Sequence, residues 1–308
     1  MITKKPEQQN NCTKNLIFTK NARTAWNVII GKFKTLETTM LLPSYIGRND
    51  KEGSGVYDAI LENNIQTIFY SLNSNLSINI SDLENRIKNN NISILLVIHY
   101  FGFCRTDMKH IRDICTRNNI ILVEDCAHYF NLSPDNKIGN YGDFSFFSIH
   151  KYLASSSGGI LKVNNTKYYN DIKGINQKDD INADDLRIYA NADLDLIYQK
   201  RKKNYLIFQT FFSDKSYLTS LYQLTSQDIP QTFPVLIHND LREKLYFHLA
   251  NKNIITISLY YRLIDEINKI EFTNSAAISN SILNLPIHQD TTENDIHLIC
   301  KEIHEYLN

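Results

Sequence analysis

The feature that most constrains the fold is a pair of buried-strand patterns separated by one helix pattern. Residues 92–100 (ISILLVIHY) and 119–124 (NIILVE) are nearly continuous apolar runs, as expected for strands covered on both faces. Between them, one face of a helix is marked by Met108, Ile111, Ile114 and Cys115. Strand, helix and strand in this order predict a right-handed βαβ unit in a mostly parallel sheet.

Neighbouring patterns extend this sheet and add helices to it. Further strands are predicted at residues 67–72, 144–149 and 159–163. A helix is predicted at residues 81–89, where Ser81 and Glu84 form a capping-box motif.

The pattern changes after residue 165. Residues 174–192 are polar and predict a loop or lid, and a long helix pattern follows at residues 194–212. Short strands and helices alternate afterwards, and the last helix has an amphipathic spacing carried by Ile296, Ile299, Cys300, Ile303 and Leu307. We therefore predict an α/β fold in two domains, a large α/β domain at residues 1–190 and a smaller α+β domain at residues 191–308.

Composition excludes several classes of protein. Hydrophobic residues make up 43% of the chain, so a wholly disordered chain is excluded. Lys and Arg number 33 and Asp and Glu number 33, so the basic excess of a nucleic-acid binder is missing. On a helix, the basic run at residues 200–203 is interpreted as a solvated face.

Membrane, secretory and metal signals are also missing from the sequence. The longest aliphatic stretch, residues 94–98, is far shorter than the roughly 20 residues that cross a bilayer, and the first twenty residues have no signal-peptide core. The five cysteines form no C-x-x-C pair, and their odd number argues against a disulfide framework. The histidines show no zinc-type spacing. We expect a cytoplasmic protein without a metal.

Two side chains stand where a parallel sheet binds its ligands. Asp125 comes directly after the run at residues 119–124, beyond the carboxyl end of a strand. A buried carboxylate needs a partner there, although a helix cap or a buried hydrogen bond is an alternative. Lys151 follows the aromatic strand at residues 144–149. Desolvation would lower the pKa of its amine and make it nucleophilic, whereas the alternative is an ordinary snorkelling lysine.

The two candidates support each other. Pyridoxal phosphate (PLP) needs a lysine to hold its aldehyde and a carboxylate to keep its ring nitrogen protonated. Ser148, three residues before Lys151, could donate to the phosphate.

At this point the chain resembles a known family, DegT/DnrJ/EryC1/StrS. The resemblance is carried by EDCAH (124–128), GDFSFFSIHK (142–151), the following GGILKV, NLPIHQDTTENDI (284–296), LLPSY (41–45) and IHYFG (98–102). It extends from about residue 16 to the C-terminus and implies a fold-type-I, PLP-dependent aminotransferase.

The resemblance implies roles for individual residues. Lys151 matches the lysine that forms a Schiff base with the cofactor, and Asp125 matches the carboxylate facing the ring nitrogen. His128 occupies the position that contacts the ring hydroxyl or steadies that carboxylate, with a satisfied core histidine as the alternative. Ser148 matches a phosphate-binding serine.

The phosphate and ring positions depart from the family pattern. Residues 22–25, which include Arg23 and Thr24, resemble a G-T-x-A turn whose backbone N–H groups cradle the phosphate. The family often places an aromatic residue over the ring where this chain has Gly47, so Tyr45 or another residue must stack there. The Tyr260–Tyr261 pair is interpreted as core packing, with a sugar-site lining as the alternative.

The implied reaction moves an amino group from an amino acid, with glutamate the expected donor, to a nucleotide-linked keto sugar. Such a reaction serves surface-polysaccharide or related amino-sugar biosynthesis, and the resemblance implies a homodimer. Two alternatives stay open: a PLP-dependent sugar dehydratase, and a catalytically degenerate binding paralogue.

Overall fold

A seven-stranded sheet forms the first part of the molecule. The computed structural model describes residues 15–49, 53–133, 135–136, 138–172, 181–257 and 259–308. The strands of this sheet are β1 (Leu16–Thr19), β2 (Thr39–Pro43), β3 (Gln66–Tyr70), β4 (Ile94–Ile98), β5 (Ile121–Cys126), β6 (Phe144–Ser148) and β7 (Gly159–Val163). Their order is β1-β7-β6-β5-β4-β2-β3.

The centre of this sheet is parallel and one side of it is antiparallel. Strands β3, β2, β4, β5 and β6 pair in parallel, whereas β7 runs antiparallel to both β6 and β1. The predicted mixed, mostly parallel α/β sheet is confirmed. Its central strand β4 is wholly apolar and fully buried, as expected for a strand that is covered on both faces.

Helix α4 (Met108–Arg117) connects β4 to β5, as the sequence predicts. The side chain of Asp107 caps it by accepting from the N–H groups of Lys109 and His110. The face packed on the sheet is formed by Met108, Ile111, Ile114 and Cys115, all buried.

The predicted capping box at Ser81 and Glu84 is wrong. Helix α3 (Ile80–Asn89) begins one residue earlier, and the side chain of Asn79 caps it by accepting from the Asp82 N–H at 3.2 Å. Asn is as good an N-cap residue as Ser, and the chain offers Asn first.

Helix α1 (Ala22–Phe33) packs over β6 and β7. Its buried residues are Ala25, Trp26, Ile29 and Ile30. Two short helices, α2 (Tyr57–Glu62) and α5 (Tyr169–Ile172), and two 3-10 turns, Tyr100–Gly102 and Thr166–Tyr168, complete this part.

The predicted polar loop at residues 174–192 contains a helix, and its stretch 174–180 lies outside the described residues. Helix α6 (Ala183–Ala190) is capped by Asn182. Its Asp185 is buried and accepts hydrogen bonds from the Ser156 N–H at 2.9 Å and the Ser157 hydroxyl at 2.6 Å. The sequence suggested a loop because this helix is short and polar, and it is held by its docking on the turn after Lys151.

A second sheet follows helix α7 (Leu194–Phe211). Strands β8 (Leu218–Ser220), β9 (Phe233–Ile237) and β10 (Ile282–Leu285) form an antiparallel sheet in the order β10-β9-β8. Helices α8 (Arg242–Asn251), α9 (Thr273–Ser281) and α10 (Glu293–Leu307) accompany it. The boundary at residue 190 stays a prediction. Within the described ranges, no helix has the length and apolar character needed to cross a membrane.

Candidate active site

Five of the predicted site residues converge on one large cavity at the carboxyl ends of β5 and β6. Its volume is about 920 Å³. The side chains of Asp125, His128, Ser148, Lys151 and Arg23 all contribute to its wall. Parallel strands present their carboxyl ends at one edge of the sheet, and this brings together residues far apart in the sequence.

Asp125 lies within β5, one residue before the strand ends, and not after it as the sequence suggested. Its side chain is 4% exposed and accepts the Ala127 N–H at 2.8 Å. Burial raises the pKa of the Asp125 carboxyl, while the Ala127 N–H and the positive charge of Lys151 act in the opposite direction. The site thus holds a desolvated carboxylate that a further cation would stabilise.

Lys151 lies on the turn that follows β6. The backbone of this turn is fixed because the Tyr152 N–H donates to the Ile149 carbonyl at 3.0 Å. The Lys151 side chain lines the cavity, and its charge acts on the pKa of both Asp125 and His128. The amine therefore lies close enough to act on the carboxylate electrostatically, and both residues line the same cavity.

His128 is buried between the cavity and Phe101. Its Nδ1 accepts the Phe101 N–H at 3.3 Å, and the two rings stack with centroids 5.9 Å apart. Burial, with a smaller contribution from Lys151, holds the pKa of His128 well below 6.5. A neutral ring that accepts at Nδ1 carries its hydrogen on Nε2, so His128 can donate one hydrogen bond.

One end of the cavity is formed by the start of helix α1 and by Ser148. Asn21, Ala22 and Arg23 contribute to the wall there, and the Ser148 hydroxyl lies 3.1 Å from His150 Nδ1. The N-terminus of a helix attracts anions through its free N–H groups and its dipole.

A glycine pair lets the turn after Lys151 approach this helix start. Gly158 has a φ of +113°, and a Cβ on Gly159 would lie 2.6 Å from the Ala22 nitrogen. The Gly158 N–H donates to the Lys20 carbonyl at 2.7 Å. The segment that follows Lys151 therefore packs directly against the start of helix α1.

The structure places two predicted residues elsewhere. Thr24 lies in the first turn of α1, where its N–H donates at 2.9 Å to Oδ1 of the N-cap residue Asn21, and it does not line the cavity. Tyr45 is fully buried behind Tyr260, with ring centroids 5.2 Å apart. Within the described ranges, the Tyr45 hydroxyl has no hydrogen-bond partner. Gly47 and Tyr260 line the cavity in its place.

Arg201 was missed because the basic run at residues 200–203 was interpreted as a solvated face, which is wrong for this residue. Arg201 is 3% exposed, and its guanidinium lies 4.4 Å from the centroid of the Tyr152 ring. It donates to the carbonyls of Lys151 at 3.2 Å and Gln231 at 3.0 Å and to Gln289 Oε1 at 3.1 Å. The Gln289 amide donates in turn to the Tyr152 carbonyl at 3.0 Å. Helix spacing gave no signal for these contacts.

A second missed feature is the set of hydrogen bonds to the carboxylate of Glu124, the residue before Asp125. Glu124 is fully buried and accepts the N–H groups of Gly139, Tyr141 and Gly142 and a hydrogen bond from His99 Nε2 at 2.8 Å. Burial alone would raise the pKa of Glu124, but His99 and the backbone donors hold it below its usual value. The adjacent E-D pair in EDCAH and the histidine of IHYFG were the available signals.

The chain is similar to known aminotransferases. The chain matches the DegT/DnrJ/EryC1/StrS aminotransferase family over residues 54–179 and 174–304. It is 24% identical to GDP-perosamine synthase of Vibrio cholerae over 76% of this chain and 71% of that protein. It is 22% identical to dTDP-4-amino-4,6-dideoxy-D-glucose transaminase of Shigella dysenteriae over 68% of this chain and 65% of that protein.

A solved structure shares the fold. NtdA of Bacillus subtilis, crystallised with bound cofactor PMP, superposes with a TM-score of 0.77 at 16% identity, covering 95% of this chain and 73% of that one.

Proposed function

The chain belongs to the DegT/DnrJ/EryC1/StrS aminotransferase family, and from this premise we propose that it is a PLP-dependent sugar aminotransferase. The amino group comes from an amino acid, with glutamate the expected donor, and passes to a nucleotide-linked keto sugar. The observation that carries the proposal is the pairing of Asp125 and Lys151 across one cavity.

The residues present fit the cofactor. The Asp125 carboxylate is desolvated and suits a protonated ring nitrogen, and the Lys151 amine suits the aldehyde. The start of α1, with Arg23 and Ser148 beside it, suits the phosphate. A cavity of about 920 Å³ lies near the upper end of the range for small-molecule sites. It therefore has room for a second molecule beside the cofactor.

The residues divide the work between them. When bound, PLP supplies an aldehyde that condenses with amines and a ring that accepts electrons. Asp125 holds a proton on the ring nitrogen, and the Nε2–H of His128 donates to an oxygen on the ring. With the cofactor bound, Lys151 Nζ would be placed to take up the proton that the donor's α-carbon loses and to give that proton up again as a general acid, so that it acts as a carrier and is not consumed. Arg201 and Gln289 hold the backbone of the lysine turn while this happens.

The substrate class is supported by the relatives and by the outer wall of the cavity. Arg48 and Arg242 contribute to that wall beside Tyr246 and Phe247. Two guanidinium groups beside aromatic rings suit a diphosphate attached to a nucleoside. We also propose a cytoplasmic homodimer, and light scattering of the purified protein would measure the mass of the assembly.

Spectra of the wild type and of Lys151→Ala test the cofactor. We expect a yellow wild-type protein that borohydride fixes covalently, and a Lys151→Ala variant that shows neither property and has lost transamination. Lys200→Ala, an exposed lysine of α7, is the matched control.

Incubation with glutamate tests the reaction itself. We expect the yellow band to disappear with glutamate and to return with a keto sugar. A wild type that stays colourless with PLP, or a band that no amino acid changes, would contradict the proposal.

A further inference from the structure

Tyr260 packs against the hydrophobic core, as the sequence predicts, and it also contributes to the wall of the cavity. Its ring lies against Tyr45 at 5.2 Å, Tyr100 at 5.8 Å and Phe101 at 6.1 Å, measured between centroids. It also lies 5.7 Å from the ring of His128. Four rings thus fix the orientation of the Tyr260 ring, whose remaining surface borders the cavity.

The backbone at Tyr260 is held in a costly conformation. Its φ is +61°, a region that bulky residues rarely adopt. The surrounding contacts enforce this conformation, because the Tyr260 carbonyl accepts the Ser279 hydroxyl at 2.8 Å. The following residues pair with the segment after β2, where the Arg48 N–H donates to the Arg262 carbonyl at 3.0 Å. Strain that neighbouring contacts maintain beside a ligand cavity points to a function.

Gly47 is the residue that makes this position available. A Cβ at Gly47 would overlap the edge of the Tyr260 ring and would lie 2.8 Å from the Tyr260 Cα. Any side chain at position 47 would therefore displace Tyr260. Gly47 therefore leaves open the space that the Tyr260 ring occupies.

We propose that Tyr260 supplies the aromatic surface that packs on the cofactor ring, and that Gly47 gives it clearance. The inference rests on the proposed function, since it concerns the ring that Asp125 and Lys151 hold. The same cavity wall carries Asp125, His128 and Tyr260, so a heterocycle held by Asp125 lies within reach of the Tyr260 ring. The aromatic contact with the cofactor ring would thus come from Tyr260, and not from position 47, where the family often has an aromatic residue.

Equilibrium binding of PLP to the apo-protein tests this inference, measured by dialysis and by circular dichroism of the bound cofactor. Tyr260→Leu removes the ring, and we expect PLP to bind about 3- to 10-fold more weakly, as the loss of one aromatic pair implies. Tyr260→Phe keeps the ring and should bind like the wild type. Both variants place a non-glycine residue at the same positive φ, so the backbone strain at position 260 is matched between them.

Gly47→Ala provides an independent arm. We expect it to weaken PLP binding and alter the circular dichroism as Tyr260→Leu does, because the new methyl group displaces the ring. Gly31→Ala, where the added methyl group meets nothing within 4 Å, is the control. Thermal unfolding checks that every variant is folded.

The outcomes separate this inference from the proposed function. If the wild type does not bind PLP, the proposed function fails. If the wild type binds PLP and the Leu and Phe variants bind it equally, whether tightly or weakly, the packing role of Tyr260 is overturned while the proposed function stands.

Discussion

Asp125 shows how one buried side chain can serve the site at the expense of stability. Its carboxyl is 4% exposed and its pKa is raised by burial. A carboxyl with a raised pKa in the folded state is less stable as an anion there than in the unfolded chain. At neutral pH the apo-protein therefore bears a cost that a bound cation would remove.

Asp125→Asn should separate function from stability. We expect transamination to fall by about 100- to 1,000-fold, the range for loss of one charge-stabilising group. The apo-protein should unfold at the same or a higher temperature at pH 7, because Asn keeps the acceptor for the Ala127 N–H. The difference in stability should shrink as the pH falls from the raised folded pKa toward the unfolded value of about 4, because the folded wild-type carboxyl takes up its proton first. Thermal unfolding at both pH values measures this.

Asp184→Asn is the control for that experiment, since Asp184 is 84% exposed in its ion pair with Arg187. It should change neither activity nor stability. A marked drop in the unfolding temperature of the Asp125→Asn apo-protein would show that the carboxylate stabilises the fold.

His128 should act without changing its protonation state. Its pKa lies well below 6.5, so the ring stays neutral from about pH 6 upward. His128→Gln keeps a donor, and we expect the pH profile of kcat to keep the shape of the wild type. Stopped assays across pH 5.5 to 8 would measure it. An acidic limb present in the wild type and missing in His128→Gln would show that the histidine titrates.

At the scale of elements, helix α7 contacts the turn that carries Lys151 through the side chain of Arg201. Arg201 bonds the Lys151 carbonyl at 3.2 Å and lies 4.4 Å from the centroid of the Tyr152 ring. Its three hydrogen bonds go to amide and backbone carbonyl oxygens. Burial lowers the pKa of Arg201, since the charge is taken out of water. Burying a guanidinium costs free energy of folding, and we infer that Arg201 is buried because it positions the backbone of Lys151.

Arg201→Lys should loosen this contact, because an ammonium group cannot reproduce the planar array of donors. We expect kcat to fall by about 100-fold, the cost of a misplacement near 1 Å, with little change in the KM for the amino donor. Lys203→Met on the same helix, an exposed pair with Glu293 at 2.9 Å, should have almost no effect. Equal losses in kcat and in unfolding temperature for the two variants would contradict a positioning role.

The elements themselves were largely predictable, because their signals are local. The apolar runs of β4 and β5 and the face of α4 have periods that one short window shows. The start of α3 was predicted wrongly because Asn79 and Ser81 are both good caps, and sequence alone does not rank them.

The site was predictable only where a motif carries it. Asp125, Ser148 and Lys151 were found by type and position and His128 through the family motif, and all four line the cavity. Arg201 was interpreted as part of a solvated basic run, and Tyr260 as core packing with a sugar-site lining as the alternative. Their contacts with Lys151 and Gly47 join residues 50 or more positions apart along the chain, so the sequence does not show them. A basic residue in a basic run and a tyrosine among 18 tyrosines give no local sign of such contacts.

At the scale of the whole molecule, the Glu124 network ties the sheet to the loop that leads into β6. Glu124 accepts from three backbone N–H groups and from His99. Its pKa is lowered in the folded state. The stabilisation is therefore present above the unfolded pKa of about 4.5 and is lost as the pH falls through the lower folded value.

Glu124→Gln should cost about 3 kcal/mol of unfolding free energy at pH 7, as expected when a buried hydrogen-bonded pair loses its charge. The amide would also place a donor against backbone N–H groups. The difference from the wild type should narrow below about pH 4. Urea unfolding at both pH values measures it, with Glu84→Gln on the exposed face of α3 as the control. Equal stabilities at pH 7 would contradict the role assigned to Glu124.

The bond from Gln289 to the Tyr152 carbonyl spans 137 residues of the chain. On the ribosome, the lysine turn is therefore made long before the residue that fixes it. Until Gln289 has emerged, the turn that carries Lys151 lacks this hydrogen bond, and we therefore expect PLP to bind only late in synthesis. A nascent chain stalled before residue 289 would expose a half-built pocket, a natural target for chaperones and proteases.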